Sequence, residues 1–221
     1  MLILTTALFL GALHAFGPDH LAAVSTFLSH RRGPSGALGV SLEWGIAHMM
    51  GVLVPGVIFS TLLGSIPQRF TSYAELIVGV VLVYVGLIAL RRNRFSRRAH
   101  VHGDGGEPTV VHAHLHTVDH GKAGHGRHVV GITGVVHGIA GAVPALALVP
   151  VAGTGSTLEL SASLFMFGLG VILAMAAYGV LLGGMLHRVR EAYLLRFVQP
   201  ALGGFSCVLG LVWMLRTGLV V

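Results

Sequence analysis

The sequence predicts an all-α polytopic membrane protein: six transmembrane helices as a 3+3 inverted repeat, with the first helix broken at Gly17-Pro18. Three observations predict it. Of 221 residues, 54% are hydrophobic and only 10% are charged, too apolar for a soluble domain of this length. The apolar residues gather into six runs long enough to span a bilayer. The two halves match weakly at an offset of about 123 residues, and an odd number of spans per half inverts the second copy.

The first run covers about Leu2–Leu28 and is ended by Arg31-Arg32-Gly33-Pro34. No Lys or Arg precedes it, unlike the basic start of a cleavable signal peptide, so it is expected to be a retained span. The second run covers about Ala37–Leu63 and bends at Pro55. The third covers about Tyr73–Leu90. After a polar stretch come the fourth at about Val129–Val151, the fifth at about Leu160–Leu186 and the sixth at about Leu194–Leu215. The chain therefore divides into a first membrane repeat (1–90), a His-rich loop expected to be disordered (91–128) and a second membrane repeat (129–221). The 32 glycines suit close helix approach in a membrane. The single cysteine, Cys207, makes no internal disulfide and no paired thiolate site.

The repeat rests on particular matches. Leu13-His14-Ala15 meets Val136-His137-Gly138, and Trp44-Gly45-Ile46-Ala47 meets Phe167-Gly168-Leu169-Gly170. One residue further in offset, Gly79 and Gly86-Leu87 meet Gly203 and Gly210-Leu211.

The net charge of +6 is largely topology. Of the 14 basic residues, all but Arg69 and Arg216 lie in the loops after runs one, three and five. The positive-inside rule puts those loops in the cytoplasm and both termini outside. Some attraction to anionic lipid follows; a nucleic-acid partner does not. The expected location is the cytoplasmic membrane.

The chemistry concentrates in His14-Ala15-Phe16-Gly17-Pro18-Asp19-His20. A carboxylate at the centre of a span costs roughly 2.5–3.5 kcal/mol on insertion scales, and intramembrane ionisable groups mark functional sites. On a straight helix His20 lies about 120° and roughly 9 Å from His14, too far to share one ion. Pro18 has no N–H, so the His14 carbonyl loses its helical partner, and Gly17 is biased to extended backbone. A break lets the imidazoles converge. His48 and His137 sit mid-span on other runs, and Glu43 lies five residues before His48. The candidate metal set is thus His14, Asp19, His20, His48, His137 and Glu43. Imidazole with carboxylate suits nickel, cobalt, zinc or iron, and the lack of thiolates argues against copper(I). Only neutral imidazole binds, so loading is expected to weaken as pH falls through about 6–6.5.

The spacing His14-x4-Asp19-His20 resembles the H-x4-D-H signature of the nickel/cobalt transporter families. The string HAFGPDHLAAV, with WGIAH around His48 and VVHGIAGAVPALAL around His137, is similar to the nickel permease branch that includes urease-accessory membrane proteins. The resemblance implies transport of nickel or cobalt, with His14, Asp19 and His20 recognising the metal. Gly17-Pro18 departs from the acidic-then-small pair of the eight-span permeases, and this chain has six runs.

Eight of the 14 histidines lie between Arg91 and Val129. Those of His112-Ala113-His114-Leu115-His116 offer clustered imidazoles, a weak cytoplasmic metal trap. Loss of the loop is expected to change efficiency rather than abolish function. Cytoplasmic metallochaperones are candidate partners. The leading expectation is a secondary transporter of nickel or cobalt, an importer rather than an efflux permease, with the ion as substrate and no prosthetic group. A membrane metal sensor signalling through the loop is another reading. An intramembrane zinc metalloenzyme is the alternative from another class; no dedicated general acid supports it, and no catalytic residues are expected. No nucleotide-binding motif is present.

Overall fold

A computed structural model describes residues 1–29, 33–62, 67–96, 123–147, 156–189 and 193–218. Among the described residues there is no strand. Helix α1 is Leu2–His14 and α2 is Pro18–Leu28, joined by a 62° bend. Helix α1 stops where the sequence removes its donors. The amides of Phe16 and Gly17 turn back to Leu13 O and His14 O at 3.1 and 2.9 Å. Pro18 then opens α2 with Asp19 in its first turn, where proline lacks only an amide that would be orphaned anyway and a negative charge suits the helix dipole.

Helix α3 is Gly33–Leu62, carrying Pro55 inside it, and α4 is Gln68–Ser96. Helix α5 is Ala123–Ala147 and α6 is Thr157–Arg188. The Ser156 hydroxyl accepts the Glu159 amide at 3.2 Å, a cap that gives Glu159 a place at the start of α6 rather than in a site. A π-helical turn, Leu194–Val198, leads into α7, Gln199–Gly218. The helices run into both ends of the expected 91–128 loop; its middle, including His112, His114 and His116, lies outside the described residues.

Six spans are expected, and the helices support four to five. Gly33–Leu62, Arg69–Arg91, Thr157–Arg188 and Arg196–Gly218 are each long and apolar enough to cross a membrane, and the bent pair α1–α2 makes a fifth if it counts as one span. The expected fourth run falls short because only His128–Ala142 of α5 is a described apolar helix of this kind. Residues 148–155, its expected continuation, lie outside the described residues.

Helix α3 packs on both α5 and α6, α1 packs on α6, and α4 packs on α7. Exchanging the halves turns α3–α5 into α6–α1 and returns α3–α6 and α4–α7 to themselves. The detail follows the same rule. A Cβ on Gly11 would strike the Phe167 backbone, and one on Gly134 would strike the Trp44 carbonyl; Gly11 and Gly134 stand 123 residues apart, as do Trp44 and Phe167. At offset 124, Gly86 lies against Gly203 and Cys207, while Gly210 lies against Gly79 and Val83. Ser206 Oγ donates to Leu82 O at 2.9 Å. Cys207 Sγ donates to Val83 O at 3.6 Å, so each bonds the residue 124 before it.

The interior holds Trp44, Leu164, Val171 and Met175 together with fully buried histidines. Large apolar side chains such as Phe9, Ile77, Leu173 and Phe205 face outward. Small residues at contacts and bulky apolar ones outside are the arrangement a lipid solvent favours.

Candidate metal centre

The break in the first helix places His14, the last residue of α1, beside His20, in the first turn of α2. Their ring centroids are 4.6 Å apart. His48 on α3 completes the group: its ring lies 5.0 Å from that of His20 and 5.7 Å from that of His14. One ligand atom from each of the three lies within 4.8 Å of the others. Three nitrogens on one ion, each at about 2.0–2.1 Å, average no more than about 3.6 Å apart. An ion held by all three imidazoles would draw them inward by up to about an ångström.

Burial makes the group costly without a partner. His20 is 2% exposed and His48 is 0%. Both ring nitrogens of His20 and of His48 are buried without a hydrogen-bond partner, as is His14 Nε2. An unmet buried polar group costs about 1–3 kcal/mol, and such groups in a native protein call for an explanation, an ion being one. Three converging imidazoles fit a divalent transition metal on their donor chemistry alone.

Asp19 stands behind this group. Its Oδ2 lies 3.0 Å from His20 Nδ1, at ion-pair distance but not aligned as a hydrogen bond. A carboxylate against one nitrogen of a ligating histidine fixes the ring and leaves the other nitrogen for the metal. This geometry suits Asp19 to orient the His20 ring.

His137, on α5, closes the cluster from the second half. Its ring is 5.5 Å from that of His20. Its Nδ1 is 2.8 Å from the Thr133 carbonyl. A carbonyl only accepts, so the proton is on Nδ1 and the buried, unpartnered Nε2 carries a lone pair. Glu43 is not brought to the cluster. Five residues before His48, it points about 140° around α3 from it and lines an open cleft with Ala47, His128, Gly131 and Val135.

Two aromatic residues were not singled out from the sequence. Trp44, fully buried, stacks on His48 at 5.0 Å and meets His20 and His137 edge-on. Phe167, its counterpart at offset 123, packs on His14 at 5.3 Å. The signal was present: both occupy matched positions of the repeat, one helical turn before His48 and Val171.

No family model matches the chain, and no solved structure matches it. Two Arabidopsis thaliana proteins, "Chloroplast protein FOR GROWTH AND FERTILITY 2" and "1", are each 28% identical over 201 and 193 residues, 84% of this chain in both cases. The chain spans about half the length of those two relatives, 48% and 51%. Along 183 residues, 82% of its length and 76% of the relative's, the chain is 29% identical to "Urease accessory protein UreH" of Bacillus sp. (strain TB-90).

Proposed function

We propose that this chain is a secondary transporter that imports nickel or cobalt ions across the cytoplasmic membrane. The observation that carries the proposal is the convergence of His14, His20 and His48 at a break in an apolar helix. Broken helices holding ion ligands at membrane depth are how many secondary transporters build a site. The similarity to a protein named as a urease accessory protein agrees with the motif resemblance to the nickel permease branch. The 123–124 offset in the packing supports reading the chain as six spans in a 3+3 inverted repeat, with α1–α2 as one span and α5 as the fourth.

In this reading His14, His20 and His48 are ligands, Asp19 orients His20, and His137 is a reserve ligand from the second half. Both termini lie outside. The segment with His112, His114 and His116 is a cytoplasmic trap from which metallochaperones collect the ion. Radiolabelled nickel flux into proteoliposomes tests the proposal. Uptake that saturates and disappears in His14→Ala is expected; tight binding without flux would overturn the transporter reading.

A further inference from the structure

Gly141 lies on α5, one turn beyond His137 and at the repeat position of Pro18. A Cβ there would stand 3.0 Å from His14 Nε2, 3.3 Å from His48 Cε1 and 3.4 Å from His48 Nε2. Both nitrogens are buried and unpartnered, so imidazole edges from two different helices and the bare backbone of Gly141 border one small space. Even a methyl group there is tighter against the rings than ordinary van der Waals contact.

We infer that Gly141 keeps one coordination position open beside His14 and His48 for a water-sized ligand, so that the site selects five- or six-coordinate nickel or cobalt over four-coordinate zinc. The inference rests on the metal reading proposed above and adds the coordination class of its substrate. Zinc closes its shell at four ligands, which His14, His20, His48 and the reserve ligand His137 supply unaided. Nickel(II) and cobalt(II) with nitrogen and oxygen donors take up to six, and a cluster of three or four imidazoles leaves the remainder to water. Intrinsic affinities among these ions do not separate them in this direction reliably, so geometry has to do so. The room left by an absent side chain is a geometric filter of that kind.

The test uses the full-length protein in detergent, with nickel, cobalt and zinc chloride as probes. Cobalt(II) absorption of the unmodified protein should show the weak visible bands of five- or six-coordinate ions. Intense tetrahedral bands would overturn the inference without any substitution being made. Gly141→Ala should weaken nickel and cobalt binding about tenfold or more and zinc binding much less, and its cobalt spectrum should gain tetrahedral intensity. Gly184→Ala, on α6 where a Cβ meets nothing within 4 Å, should change none of these. Equal losses for all three ions, or none, would overturn the role of Gly141 while leaving transport intact. Failure of the unmodified protein to bind any of the three overturns the transporter reading itself, and this inference with it.

Discussion

Replacing Gly17-Pro18 by Ala-Ala separates the helix from the site. Without proline the His14 carbonyl can again accept an amide four residues on, and a continuous helix puts His20 about 9 Å along and 120° around from His14. The rings now stand 4.6 Å apart, and two nitrogens on one ion tolerate no more than about 4.2 Å between them. Straightening therefore removes one of three imidazoles, an expected loss of about a hundredfold in affinity, roughly 2.8 kcal/mol. If packing holds the bend instead, the Cβ added at position 17 lies 2.8 Å from Asp19 Oδ1 and 3.3 Å from His20 Nδ1. The backbone itself allows alanine there, with φ −53° and ψ 139°, so the cost falls on the Asp19–His20 contact, at about 10–100-fold. Either route damages binding, while Pro18 opens α2, a position where proline costs a helix little, so its loss leaves helix stability nearly unchanged. The variant should be a sound helix and a poor site: a nearly unchanged melting temperature without metal, and at least about tenfold weaker nickel binding and flux. Near-normal nickel binding in the doubly substituted protein would refute the claim that the break belongs to the site.

His48→Ala, which removes a ligand but leaves α3 intact, should cut nickel affinity about a hundredfold by isothermal titration, whereas Glu43→Gln should cut it less than about tenfold because Glu43 lines the cleft and not the cluster; a larger loss for Glu43→Gln would reverse their roles. In a Trp213→Phe background, nickel should quench the fluorescence of Trp44, which stacks on His48, and the quench should vanish with His14→Ala; a quench that survives places the ion elsewhere. Gly11→Val and Gly134→Val drive a side chain into the Phe167 and Trp44 backbones, equivalent contacts of the two halves, and should destabilise by similar amounts, about 1–3 kcal/mol in thermal unfolding; a large effect from only one would break the equivalence of the halves. Deleting residues 100–120 should raise the nickel concentration for half-maximal uptake and leave the maximal rate near normal, and abolished uptake would make the loop part of the transport path.

The broken helix was legible because proline and preceding glycine act through local rules that tertiary packing cannot repeal. The same holds for His48 and His137, whose cost in an apolar run announces them. Glu43 lies apart from the cluster because distance along the chain says nothing about the face: five residues turn a helix about 140°, away from His48. Gly141 left no mark in the sequence, since an absent side chain matters only once His14 and His48 are known to face it. The fourth run is legible in hydropathy but counts as a short apolar helix here, because only His128–Ala142 is described as one and residues 148–155 lie outside the described residues.

Most of the cluster is buried. Trp44 and His48 are 0% exposed, His137 1% and His20 2%, and of the three converging imidazoles His14 alone keeps part of its surface open. In the transport reading an ion meets His14 first and reaches His20 and His48 only as helices part, a motion of microseconds to seconds rather than of diffusion. Binding rates measured by rapid mixing should then level off with rising nickel at a ceiling set by that opening, and a rate that rises linearly throughout would refute it.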